Sequence, residues 1–299
     1  MSNRRVEAEA GSESVLGQTL TRIRPTSGVS TRTLAGLCGL VPVLVATLYR
    51  VVHNAPGDLT GGLSELATLW LPATIIGPAV AAFLLASTAE TVWERVGSAF
   101  VGGFSLVALA SPLAWYPAAI GIVVGGAMVV WSRWERLGQE RPTPVIRELG
   151  VASVLVAGVA FSLAATAGVA PATLRPLGSA VALVGIGATP ALVGWDSRSL
   201  YVGALAAILT FSFATTTPYV AGAVLLVGGG VVGTPLVLVL FGVGGGVTAL
   251  THAVVSRRPD VAAGGALLLA AGVPSTLLGA AGVLVAVTLF ASESRGEHR

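Results

Sequence analysis

From residue 218 to residue 256 the chain runs without one Asp, Glu, Lys or Arg. Soluble helices and loops carry a polar face, and this run has none. In a bilayer such a run is ordinary. The hydrocarbon core is about 30 Å thick and takes about 20 apolar residues per helical crossing. Backbone polar groups must be satisfied internally there, which restricts short apolar segments to helices. The run is too long for one crossing and just long enough for two short ones. Thr217-Pro218 and Thr234-Pro235 each set an N-cap residue before proline at the first helical position, which favours two helix starts.

The same measure applied along the chain predicts spans at 34–52, 66–88, 96–111, 113–132, 149–170, 177–195 and 199–217. The last run, 261–291, is long for one helix and short for two, and Pro274 is expected to kink it. The fold class is therefore all-α, a polytopic transmembrane helix bundle of about ten spans, with nine as the alternative. A polar cytoplasmic tail covers 1–33, the transmembrane helical domain 34–291, and a short polar tail 292–299. No cleavable signal peptide is expected, because the apolar run from Leu34 is too long for its hydrophobic region and no small-residue cleavage site follows it.

Composition agrees. The chain is 54% hydrophobic and 10% charged, with a mean hydropathy of +0.85, against about 25% charged residues in soluble domains. That excludes an ordinary water-soluble enzyme. It also excludes a disordered chain, whose signature is low hydropathy and high charge. The 39 glycines show no three-residue period, so a collagen-like helix is excluded too.

All 17 basic residues are arginine. The net charge is +3 and the pI about 9.6, but the arginines lie in the tail and short loops and form no basic face for nucleic acid. They report orientation instead. With ten spans and the N-terminus inside, the inner side holds the tail arginines with Arg95, Arg133, Arg136, Arg141, Arg147, Arg198, Arg295 and Arg299. Arg50, Arg175, Arg257 and Arg258 fall outside. With nine spans, Arg257 and Arg258 exchange sides with Arg295 and Arg299. The largest interior loop is 133–148, RWERLGQERPTPVIRE, in which Arg and Glu alternate.

The motifs read as membrane packing. Gly228, Gly230 and Gly233 match G-x-G-x-x-G, but the acidic residue a dinucleotide site needs is missing at its spacing, and a phosphate loop would need Lys where Thr234 stands. The run is expected to turn or pack closely and to bind no nucleotide. G-x-x-x-G occurs at Gly121/Gly125, Gly229/Gly233 and Gly242/Gly246, where glycine lets helix backbones approach. Cys38, alone in the chain, reads as a small packing residue and allows no disulfide.

No Asp, Glu, Lys or Arg falls near the centre of any expected span: Glu90 and Asp196 sit at turns, and none of Glu65, Glu90 and Asp196 is expected to be enclosed at mid-depth. A proton relay within the spans has no support. His53 and His252 both fall toward the outer side under ten spans, and a metal pair there is disfavoured against ordinary interfacial histidines. Ser105 in GGFSL has the chemistry of a nucleophile, but nothing ties it to His252 as a base. The polar stretch 210–218, TFSFATTTP, reads as hydroxyls bonded to their own helix rather than as a cavity lining.

The Lys-free loops, the Ala/Gly/Val/Leu spans and phrases such as SRRPDVAAGGALLLAAGVPSTL resemble the multi-spanning membrane proteins of haloarchaea. The resemblance is one of composition and carries no site residues. The expected activity is non-enzymatic: a scaffold or accessory membrane component, with no catalytic, cofactor-binding or metal residues assigned and no cofactor. The alternative is a secondary transporter of a small neutral or apolar solute, since the length resembles the drug/metabolite transporter class. The expected partners are the lipid bilayer and other membrane proteins, without nucleic acid or nucleotide. The expected location is the cell membrane, as a multi-pass protein.

Overall fold

A computed structural model of the chain describes residues 30–53, 63–137, 142–216 and 234–290. These residues are helical apart from short connections. The helices are α1 Thr31–His53, α2 Leu63–Ala73, α3 Ile76–Thr88, α4 Val92–Val107, α5 Trp115–Arg136 and α6 Pro142–Thr166. They continue with α7 Pro171–Gly187, α8 Pro190–Val193, α9 Ser197–Thr216, α10 Leu236–Val255, α11 Pro259–Ala271 and α12 Leu277–Phe290. Seven stretches among them are long and apolar enough to cross a membrane. One joins α2 and α3 across a break at Thr74–Ile75, just after Pro72 withdraws an N–H from the ladder.

Glycine sets the spacing of the helices. An ideal Cβ on Gly97 of α4 would lie 2.6 Å from the Gly125 carbonyl of α5, and one on Gly125 would lie 2.6 Å from the Gly97 carbonyl. Gly121 abuts the Phe104 ring in the same pair, so α4 and α5 are antiparallel. Gly158 against Ala182 and Gly178 against Ser162 make α6 and α7 antiparallel. Gly203 against Thr248 and Gly244 against Ala207 do the same for α9 and α10. In α1, Pro42 cannot donate to the Cys38 carbonyl, and Gly77 of α3 packs on that place, where a Cβ would stand 2.5 Å from the freed oxygen. Gly242 faces Leu183 and Gly246 faces Leu269 and Ile186, so Gly121/Gly125 and Gly242/Gly246 serve contacts within the chain. Cys38 packs against the core, as its size suggested.

The run 261–291 departs from the expectation of one kinked helix. It forms two short helices that reverse on each other: Gly264 of α11 faces Leu289 and Phe290, while Gly282 of α12 faces Leu267 and Ala271. Gly272 makes the reversal, with φ 56° and ψ −135°, a conformation that excludes a Cβ. Ser275 N–H then donates to the Val273 carbonyl across Pro274, and Thr276 caps α12 by accepting from Gly279 N–H at 3.1 Å. In α12 every residue but Leu278 is buried. A helix that is apolar all round tolerates burial on every side, and α12 lies among α1, α3, α4, α5, α6 and α11.

The glycine run and Thr217-Pro218 lie outside the described residues. Pro235 takes the N-cap position of α10 and Leu236 the first helical one, a residue later than expected, and the Thr234 hydroxyl caps nothing. Of the two crossings expected in 218–256, the described one is α10.

Candidate functional site

Alternating helix directions bring most of the charge to one end of the bundle. Arg133, at the end of α5, donates from Nη2 to the Val287 carbonyl in the last turn of α12 at 2.6 Å. That carbonyl lies in the last described turn of α12, toward the negative end of the helix dipole, where a cation is favoured. Glu148 of α6 stands between two arginines, its Oε2 4.0 Å from Arg133 Nε and 3.8 Å from Arg136 Nη2. Arg133, Arg136, Glu148 and, in the first turn of α4, Glu94 are all at least nine-tenths buried.

This buried ionic cluster corrects the sequence reading of 133–148 as an interior loop. Helix α5 runs on to Arg136 and α6 already begins at Pro142. The signal was present: Val129, Ser132, Arg133 and Arg136 share one helical face, and that face points into the bundle. Glu65, in the first turn of α2, and Glu90 are exposed, and the Asp196 side chain is 39% exposed.

A second polar group closes the same end between α9 and α10. Asp196 and Ser199 form a capping box: Ser199 N–H donates to Asp196 Oδ1 and Asp196 N–H to Ser199 Oγ, both at 3.0 Å. His252 Nδ1 lies 3.6 Å from Asp196 Oδ1, and its Nε2 lies 3.4 Å from Ser256 Oγ. The hydrogen bonds from Ser199, and next the neighbouring His252, hold the Asp196 carboxyl below its ordinary value. The order carboxylate, imidazole, hydroxyl is that of a hydrolytic triad. The amides nearest Ser256 are engaged in closing the helix end. Ser256 N–H donates to His252, Arg257 N–H to Val254 and Arg258 N–H to Ala253. The group ties the start of α9 to the end of α10 like a latch.

The other singled-out residues are dispersed. His53 ends α1 at the opposite end of the bundle from His252, so the two cannot share a metal. His298 lies outside the described residues. Among the described residues, no three His, Cys, Asp or Glu come together in a group able to hold a metal. Ser105 is fully buried and its hydroxyl donates to the Val101 carbonyl of its own helix. Thr210, Thr215 and Thr216 likewise donate to Ala206, Phe211 and Ser212, as the local reading of that stretch required.

A bundle of long apolar helices, with a fully apolar helix at its centre and its ions gathered at one end, is the architecture of a polytopic integral membrane protein. The chain belongs to the integral membrane family of unknown function DUF8068, whose family model matches residues 32–291. No curated protein and no solved structure matches it.

Proposed function

We propose that this protein is a non-enzymatic scaffold or accessory component of the cell membrane, acting through helices that it presents to partner membrane proteins. One observation carries the reading. The axis of the described bundle is occupied by α12, whose side chains are enclosed by six other helices. A carrier needs a route for solute along such an axis. Helix α9 supports the same reading from outside, since among the described residues it packs chiefly on α10 and buries only Ser199 and Gly203. The topology that fits is N-terminus inside. Arg32, Arg95, Arg133, Arg136, Arg147, Arg198, Arg257 and Arg258 belong to the ionic end, against Arg50 and Arg175 at the other. In it α11 and α12 form a re-entrant pair that enters from and returns to the inner side. The Lys-free loops fit an archaeal source.

The alternative, a secondary transporter of a small neutral or apolar solute, is favoured by the breaks at Thr74–Ile75 and at Gly272, since carriers build their sites at interrupted helices. Single cysteines placed in Cys38→Ala at Val283 and Ala286 of α12 test the two readings. In a scaffold they stay unlabelled by a water-soluble maleimide applied from either side. Labelling from both sides, in turn, marks an alternating path and refutes the scaffold reading. Reporter fusions at Ser2 and Gly138 are expected on the same, inner side.

A further inference from the structure

We propose that the groove between α1, α10 and α11 binds one anionic phospholipid, with its acyl chain in the groove and its phosphate at Arg257 and Arg258. The groove has a volume of about 570 Å³ and lies at the ionic end of the bundle. Leu37 and Leu40 of α1, Leu250 and Val254 of α10, and Ala262 and Ala266 of α11 form its apolar wall. Arg257 and Arg258 line its mouth. An apolar slot between the spanning helices α1 and α10 and the short α11, with two cations at the membrane surface, matches an anionic lipid at both ends.

The backbone gives a second, independent reason. Helix α10 ends in a Schellman motif: Arg258 N–H donates to Ala253 and Arg257 N–H to Val254. That motif needs a left-handed residue, a place usually held by glycine. Here the residue is Arg257, at φ 55°. An L side chain is disfavoured in that conformation, so the local fold alone prefers glycine. What arginine adds is a cation at the mouth of the groove. The groove between α5 and α6, about 560 Å³, is lined by Trp131, Trp134 and other residues without a cation and has no such match.

The test is native mass spectrometry of the full chain in detergent, with phosphatidylglycerol competing against phosphatidylcholine of the same acyl chains. A surface arginine contributes about 1 kcal/mol toward an anionic lipid, so two correspond to a preference of about 30-fold for phosphatidylglycerol. Arg257→Gly should lower the preference about fivefold while the lipid-free melting temperature holds or rises, because glycine relaxes the left-handed position. Arg257→Gly with Arg258→Gln should abolish the preference. Ala266→Phe, which fills a half-buried wall position, should expel both lipids. Equal retention of the two lipids by the wild-type chain overturns the proposal, and that arm needs no variant to fold. An unchanged preference in Arg257→Gly, or undiminished lipid in Ala266→Phe, overturns it as well.

Discussion

Alanine at Gly97 and alanine at Gly103 are the same substitution in the same helix, and the structure gives them opposite signs. In an exposed helix interior, Gly→Ala is favourable by about 1 kcal/mol, because glycine loses more backbone freedom on folding. At Gly103 an added Cβ meets nothing within 4 Å, so the gain should appear undiminished. At Gly97 the Cβ meets the Gly125 carbonyl at 2.6 Å, where ordinary contact begins at 3.4 Å. The obstacle is backbone and cannot swing aside. Met128 Cβ and Val129 Cγ2, both at 3.0 Å, close the remaining directions. Helices α4 and α5 must separate by about 0.8 Å over their closest approach, an overpacking that costs about 1–3 kcal/mol and cancels or exceeds the propensity gain. The two variants should therefore differ by about 1–3 kcal/mol, with Gly103→Ala the more stable. Equilibrium unfolding in mixed micelles, followed by tryptophan fluorescence, reads this difference directly. Gly97→Ala as stable as Gly103→Ala would refute the argument that close backbone approach sets the α4–α5 distance.

Three further outcomes follow from the ionic end and the reversal. Glu148→Gln leaves Arg133 and Arg136 buried without their shared carboxylate and should cost about 3–5 kcal/mol in the same unfolding measurement, whereas exposed Glu65→Gln should stay within about 0.5 kcal/mol. Gly272→Ala forces a Cβ into a glycine-only conformation and should cost about 1–3 kcal/mol; a neutral result would mean that the α11–α12 reversal is not formed as described. Asp196 has its folded pKa depressed, so its contribution is present above the unfolded value, 3.8, and is lost as pH falls through the lower folded value. The stability difference between wild type and Asp196→Asn should accordingly be present at neutral pH and shrink below about pH 4, and a difference that persisted or grew below that pH would contradict the latch.

The helical membrane class is legible in the residues alone, because it follows from one-dimensional quantities: the length of charge-free runs, the lack of charge at their centres, and the side on which arginine accumulates. The local fates of Thr210, Thr215 and Thr216 are legible for the same reason, since a hydroxyl bonding three or four residues back needs only its own helix. The loop expected at 133–148 fails because span length alone decides there where α5 ends. Arg133 and Arg136 continue the inward face of α5, but whether an arginine is buried depends on what waits for it, here Glu148 and the Val287 carbonyl.

The sequence by itself therefore determined that the chain crosses a membrane as helices, and roughly where most of them run, because transfer into hydrocarbon is nearly additive along the chain. Tertiary structure alone decided that 259–290 turns back on itself and fills the centre of the bundle. A fully apolar helix is equally content facing lipid or protein, so hydropathy cannot place it. Shape decided instead: Gly272 makes the turn, and Gly36, Gly39 and Gly126 leave room on the neighbouring helices for Leu289, Val285 and Leu284.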